Sequence, residues 1–217
     1  MNIQFVSNGR LGNLPKEKEG QLVVLGFEGM GEVNYEAELK GESVYFEEGA
    51  RLSKSINGLV VCGCVTDTRG HKRKSAFVAE QGRILGVSDA LHAIDGEVAP
   101  GSSLRVYETK IGRMGVAVAE DIFFPEVLQS LALCGSDFVV CPFGKVDVEE
   151  LQPILRAQAC VYGVPIIFCG VGYAMIADST GKIVFASPNS PVKTNFTPTK
   201  EYHLVETRRR GRFGKLT

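Results

Sequence analysis

Short runs of apolar residues alternate along this chain with longer segments in which apolar residues recur every three or four positions. Short apolar runs bounded by turn residues are typical of buried strands, whereas a spacing of three to four is typical of amphipathic helices. The runs predict strands at 1–6, 21–26, 59–65, 138–142 and 165–170. Helical spacing predicts helices over 47–56, from 124 to about 134, and from about 149 to 162. This alternation favours a layered α/β domain.

Turn signals place three hairpins between these elements. The hairpins cover 75–86 over Gln81-Gly82, 104–119 over Gly112, and 175–186 over 179–182. The polar segment 66–74 is predicted to be a turn, and 8–20 is predicted to be a loop or a stunted helix. From about residue 188 the sequence predicts an irregular tail. Because the sequence shows no linker and no long repeat, we expect a single domain over 1–217.

The segment 112–142 carries the most specific pattern in the chain. Its sequence, GRMGVAVAEDIFFPEVLQSLALCGSDFVVCP, predicts a strand, a sharp turn, a helix entered through Pro125, and a second strand. A side chain at such a bend is exposed, and the N–H groups at the start of the helix can stabilise an oxyanion. The residue at this bend is Ala119, which offers no catalytic group, and the acids Glu120 and Asp121 follow it.

This segment resembles the signature of the nitrilase superfamily, the carbon–nitrogen hydrolases. That signature runs glycine, apolar strand, Cys, any residue, Asp, two residues, and Phe-Pro-Glu. Asp121 and the run Phe124-Pro125-Glu126 fall in register, and Ala119 stands where the nucleophilic cysteine is expected. The resemblance spans roughly the whole chain. It implies a nitrilase-like four-layer αββα sandwich, usually assembled as a homodimer or larger homo-oligomer through the helical faces.

The resemblance also implies two acids at the site. Family members carry a general-base Glu in a Pro-Glu pair after the second strand, and here Phe27 replaces the proline while Glu28 keeps the acid. A second, accessory acid precedes a Pro-Gly pair in the family, and Glu97 is the matching position. The segment before Glu28 is too short for the usual long helix, so the N-terminal part of this chain looks trimmed.

The catalytic lysine of the family usually stands in a Lys-x-His pattern after a hairpin. Aligning His92 with that histidine places Ala90 at the lysine position, and an offset of one residue would place Asp89 there instead. The nearest lysines, Lys72 and Lys74, lie before the predicted hairpin. The resemblance therefore implies that this chain lacks both the nucleophile and the lysine.

In the active family a Cys thiolate attacks a nitrile or amide carbon, a Glu transfers protons and a Lys stabilises the oxyanion. With Ala119 and Ala90 at two of these positions, we expect negligible hydrolysis and a degenerate member that keeps a scaffold or binds a small amide, nitrile or acid. Two losses favour natural decay over an engineered Cys-to-Ala trap.

One alternative is an active amidase or nitrilase with a rearranged site that uses Cys134 or Cys141. Another is an interaction protein that uses its oligomer interface and the arginine-rich segment 208–212, although such a cluster is most often a solvated tail.

Composition sets further limits. The chain has 217 residues, of which 44% are hydrophobic and 23% charged, and its net charge is −1. These values are ordinary for one soluble domain, so we expect neither nucleic acid nor a membrane as a partner. The N-terminus lacks the pattern of a signal peptide. Most of the six cysteines lie in apolar runs and none forms a Cys-x-x-Cys pair, which favours reduced thiols, a cytoplasmic location and no metal or other cofactor.

Overall fold

The structure, a computed structural model, describes residues 1–13, 21–94, 96, 98–145 and 147–198. Its strands are β1 (Asn2–Val6), β2 (Leu22–Leu25), β3 (Gly31–Asn34), β4 (Leu59–Thr68), β5 (His71–Glu80), β6 (Arg83–Asp89), β7 (Val106–Thr109), β8 (Gly112–Val116), β9 (Phe138–Pro142), β10 (Ile166–Gly170), β11 (Tyr173–Ala177), β12 (Ile183–Ser187) and β13 (Val192–Asn195). Its α-helices are α1 (Tyr35–Lys40), α2 (Tyr45–Ser55), α3 (Pro125–Leu133) and α4 (Val148–Tyr162), and short 3₁₀ helices cover Leu11–Asn13 and Ala119–Phe123.

The strands form two sheets. The first has the order β13-β1-β2-β4-β5-β6, with β3 paired to β4, and the second has the order β12-β11-β10-β9-β8-β7. Parallel strands β1, β2 and β4 lie at the centre of the first sheet, and parallel strands β8, β9 and β10 at the centre of the second. The carboxyl ends of the two parallel sets meet, because the Phe27 N–H donates to the Phe143 carbonyl at 3.2 Å and the Gly172 N–H to the Ser7 carbonyl at 3.0 Å.

The period-two alternation of a strand decides which residues face which layer. In β2, Leu22 and Val24 point into the core between the two sheets, whereas Val23 and Leu25 point to the outer face. Helix α2 packs against the outer face of the first sheet, and α3 and α4 cover the second. The resulting order of layers is helix, sheet, sheet, helix, which confirms the predicted αββα sandwich. Within the described residues, no helix is both long and apolar enough to cross a bilayer.

The predicted strands, helices and hairpins correspond to elements of the structure, but three segments differ. The polar segment 66–74 is not a turn, because β4 and β5 continue through it and only Arg69 and Gly70 make the reversal. These strand ends are polar on both faces, and a buried hydrogen bond of 2.8 Å between the hydroxyls of Thr66 and Ser75 joins them. Strand β3 and helix α1 are absent from the prediction. Strand β13 lies inside the predicted irregular tail.

Candidate active site

The bend after β8 has a left-handed backbone conformation at Ala119. Ala119 has a φ of +51° and opens the 3₁₀ helix that leads into α3, and only 1% of its surface is exposed. The left-handed conformation costs a residue with a Cβ about 1–2 kcal/mol. Such strain collects at functional sites, where the surrounding structure holds it in place. The predicted sharp turn is present, but the prediction that its side chain is exposed is wrong, because Ala119 is packed in the core between the sheets.

A buried carboxylate ties this bend to the loop that follows β6. Asp121 is fully buried, and it accepts hydrogen bonds from the Leu91 N–H at 2.9 Å and from the His92 N–H at 3.0 Å. The ring Nδ1 of His92 donates to the same carboxylate at 2.9 Å. Burial raises the pKa of Asp121, and these hydrogen bonds offset part of that effect. Asp121, two residues after the bend, thus fixes the loop that begins at Ala90.

The other signature residues hold the same loop. The ring of Phe124 stacks on the ring of His92, with centroids 3.5 Å apart and planes 2° from parallel. The carboxylate of Glu126 lies 3.7 Å from His92 Nε2. Three residues of the signature therefore contact His92.

Ala90 lies next to the bend in the core. It is 4% exposed and belongs to the same buried cluster as Ala119. Its N–H donates to the Lys74 carbonyl at 2.8 Å, which extends by one residue the register that pairs Ser75 with Asp89. Directly opposite residues on antiparallel strands carry their side chains on the same face, with Cβ atoms about 4.5–5.5 Å apart. Lys74 therefore projects from the neighbouring strand at the place where Ala90 offers only a methyl group.

The Lys74 side chain reaches the residue after the bend. Its Nζ lies 2.6 Å from Glu120 Oε1, and 19% of each side chain is exposed. The second oxygen, Glu120 Oε2, is inaccessible to solvent and has no hydrogen-bond partner among the described residues. The sequence identified Glu120 as an acid after the bend, but it missed the pairing with Lys74 because Lys74 was assigned to a turn.

Of the two acids implied by the resemblance, the structure describes only Glu28, which is not part of this cluster. Glu28 follows β2 at the same edge of the sandwich, but it is exposed and makes no hydrogen bond or ion pair with any residue that the structure describes. Glu97 and the segment 208–212 lie outside the described residues. The structure thus brings together Ala90, Ala119 and Glu120, with Lys74 as the added member.

Neither Cys141 nor Cys134 lies in the setting of a reactive thiol at the bend. The Cys141 thiol donates to the Ala119 carbonyl at 3.9 Å, but it is fully buried on the helix-facing side of its sheet. Burial raises the pKa of Cys141 well above its usual value, so its thiolate is scarce at neutral pH. Cys134 is exposed at the far end of α3 from the bend. In the described part of the chain, no three His, Cys, Asp or Glu side chains converge as metal ligands.

Two known proteins match part of this chain in sequence. A probable nitrilase of Schizosaccharomyces pombe is 23% identical over 185 residues, 76% of this chain and 68% of that protein. A deaminated glutathione amidase of Yersinia enterocolitica is 26% identical over 143 residues, 54% of this chain and 50% of that one.

Solved structures show the same fold. A cysteine-to-alanine mutant of an amidase of the nitrilase superfamily from Nesterenkonia AN1 has a TM-score of 0.73 at 16% identity, over 89% of this chain and 88% of that chain. A carbon–nitrogen hydrolase from Helicobacter pylori G27 has a TM-score of 0.72 at 16% identity, over 89% of this chain and 87% of that chain. The model of the carbon–nitrogen hydrolase family matches residues 24–195, most of the sequence. This chain therefore belongs to the carbon–nitrogen hydrolase family.

Proposed function

We propose that this chain is a carbon–nitrogen hydrolase family member that binds a small amide, nitrile or acid without covalent hydrolysis. The observation that carries the proposal is Ala119, which occupies a strained, buried bend whose supporting contacts through Asp121 are complete. Losing a nucleophile can cost on the order of 10⁶ in turnover. A site that keeps its shape without its nucleophile is suited to binding.

The printed names of relatives support the ligand class. Structures of the Nesterenkonia amidase carry acrylamide, or the acetamide moiety of fluoroacetamide, at its active-site cysteine. The Yersinia relative is named as an amidase.

The alternative, an active amidase or nitrilase with a rearranged site, needs another thiol. Burial of Cys141 and the distant position of Cys134 count against that alternative.

The test measures turnover and covalent adducts together. Purified protein is incubated with propionamide, acrylamide and propionitrile, ammonia release is followed, and intact mass is recorded. We expect no ammonia, and any acrylamide adduct should map to the exposed Cys134 and disappear in Cys134→Ser. Ammonia release that Glu28→Gln abolishes would show a working hydrolase and end the proposal.

We further infer that the chain acts as a single domain and forms a homodimer or larger homo-oligomer through α3 and α4. Leu133 on α3 is 59% exposed and Val161 on α4 is 57% exposed, and large apolar side chains at such exposure favour burial against a partner. Light scattering should give at least twice the chain mass, and Leu133→Asp with Val161→Asp should reduce it. A wild-type mass of one chain would contradict this assembly.

We also infer a cytoplasmic location. All six cysteines are free, and four of them are fully buried thiols that a reducing compartment would preserve. Cell fractionation with an antibody to the chain tests this inference, and recovery in a secreted or membrane fraction would contradict it.

A further inference from the structure

We propose that Lys74 and Glu120 form the ligand-recognition pair of this site, with Lys74 supplying from β5 the ammonium group that is missing at Ala90. This inference rests on the proposed binding function and deepens it. It names the two side chains that contact the ligand and selects a neutral primary amide over a nitrile or an acid.

The position of Lys74 is set by strand geometry. Lys74 shares the parity of Ala76 and Val78, which point into the core between the sheets, so its side chain starts on the face that also carries Ala119. The register places it opposite Ala90. Lys72 has the same parity two residues earlier, but it is more exposed and its Nζ lies 2.7 Å from Glu32. Only Lys74 therefore reaches the residue that follows the bend.

Glu120 supplies the complementary group. One carboxylate oxygen contacts the Lys74 ammonium, and the other is buried and has no hydrogen-bond donor among the described residues. Buried acceptors are almost always paired, so this oxygen calls for a donor from a ligand or from water. The pair thus presents a donor and an acceptor side by side at the residue that follows Ala119.

The chemistry of the pair selects among the three ligand classes. A primary amide can accept a hydrogen bond from the Lys74 ammonium at its carbonyl and donate one N–H to Glu120 Oε2. A nitrile has no N–H for that oxygen. A carboxylate would place a second negative charge beside Glu120 in a site with little solvent, where the two carboxylates would repel each other.

A cysteine introduced at the bend measures the electrostatic effect of Lys74 and Glu120, because the pKa of its thiol responds to nearby charges. In Ala119→Cys, iodoacetamide labelling is measured against pH, with labelling mapped by mass spectrometry. The thiol pKa is then compared after adding Lys74→Met, Lys74→Arg, Glu120→Gln or the control Lys72→Met. We expect Lys74→Met to raise the thiol pKa by about one unit or more, as loss of a neighbouring opposite charge does. Glu120→Gln should lower it, Lys74→Arg should preserve it, and Lys72→Met should leave it unchanged.

Opposite shifts from Lys74→Met and Glu120→Gln support the pair, and a merely structural role would not produce them. Equal thiol pKa values in the Lys74→Met and Lys72→Met backgrounds would overturn the proposal. If the Lys74→Met protein fails to fold by circular dichroism, Glu120→Gln decides alone: a lowered thiol pKa supports the pair, and an unchanged one overturns it.

Ligand choice is tested on the protein with its natural Ala119. Saturation-transfer NMR is recorded with propionamide, propionate and propionitrile. The saturation-transfer signal of propionamide should be stronger than the signals of the other two compounds. Lys74→Met should abolish that signal and Lys72→Met should retain it. Stronger transfer to propionate, or a signal that Lys74→Met does not change, would overturn the selection of amides. Turnover of propionamide by the unmodified chain would instead end the proposed function, so the two failures are distinguishable.

Discussion

Ala119 adopts a backbone conformation that alanine disfavours, and its neighbours account for this. Strand β8 delivers the chain into the core, while Asp121 is anchored to Leu91 and His92 only two residues later. The chain must reverse between these fixed points. The reversal between these fixed points accounts for the φ of +51° at residue 119.

Replacing Ala119 with Gly tests this strain. Glycine removes a steric penalty of about 1–2 kcal/mol at this φ, but it increases the freedom of the unfolded chain by about 0.4–1 kcal/mol and deletes a buried methyl group. We expect Ala119→Gly to change the free energy of unfolding by less than about 1 kcal/mol in urea titrations. Ala79→Gly, also buried but within β5, should destabilise by about 1 kcal/mol or more. Equal losses in both variants would show that the bend is unstrained.

Asp121→Asn tests the anchor and its pH dependence. The amide offers one acceptor oxygen and turns its NH₂ toward N–H donors, so we expect a loss of about 1–3 kcal/mol in unfolding free energy. Because burial raises the pKa of Asp121, its contribution is fully present below the ordinary carboxyl pKa and falls as pH rises through the raised one. The loss of unfolding free energy in Asp121→Asn, relative to the unmodified chain, should therefore become smaller from pH 4 to pH 7. Asp147→Asn is the control, since Asn caps α4 about as well as Asp.

A deficit that widens with pH would mean that the hydrogen bonds to Asp121 outweigh its burial. A deficit as small as that of Asp147→Asn would remove Asp121 as the anchor of the loop.

At the scale of elements, helix boundaries could be predicted from sequence because local chemistry sets them. Helix α4 ends at Gly163, whose φ is +63°, as the glycine after an amphipathic repeat indicates. Helix α3 begins at Pro125, as its ring favours. Buried strands were equally evident from their apolar runs. Strand β3 was not, because only Val33 of its four residues is apolar and buried.

The position of Lys74 could not be predicted, for a reason that lies in the hairpin. Strands β5 and β6 pair Ala79 with Ile84 but Val78 with Gly86, so Leu85 is an extra residue that forms a bulge. Counting back from the Gln81-Gly82 turn without the bulge pairs Lys74 with Asp89. The bulge shifts this pairing by one, so Ala90 lies opposite Lys74. A one-residue shift changes which side chains share a face, and no local sequence signal predicts this shift.

At the scale of the molecule, alternation within strands predicted the layers, and motif resemblance predicted the sandwich. The sequence did not show that β1 is an inner strand of its sheet. Met1 and Phe196 exchange two hydrogen bonds, of 2.7 Å and 3.0 Å. Because hydrogen-bonded pairs alternate along an antiparallel ladder, Ile3 and Thr194 form the next one.

Thr194→Pro should break that bonded pair. Proline removes an N–H of the ladder, so we expect a loss of about 1–3 kcal/mol in unfolding free energy and faster aggregation by light scattering. Thr194→Val keeps the N–H and favours strands, so it should leave the unfolding free energy and the aggregation rate unchanged. Equal behaviour of the two variants would show that β13 contributes little.

Strand β1 is thus paired on both edges only once β13, the last strand that the structure describes, has joined the sheet. Strand β1 gains one neighbour when β2 emerges, but its other edge stays open until β13 is synthesised nearly 190 residues later, as the register Asn2 with Asn195 requires. An open strand edge can pair with another chain. While the residues between β2 and β13 are being synthesised, the nascent chain therefore exposes an unpaired strand edge, and its yield in a cell should depend on chaperone capacity and on how fast this segment is translated.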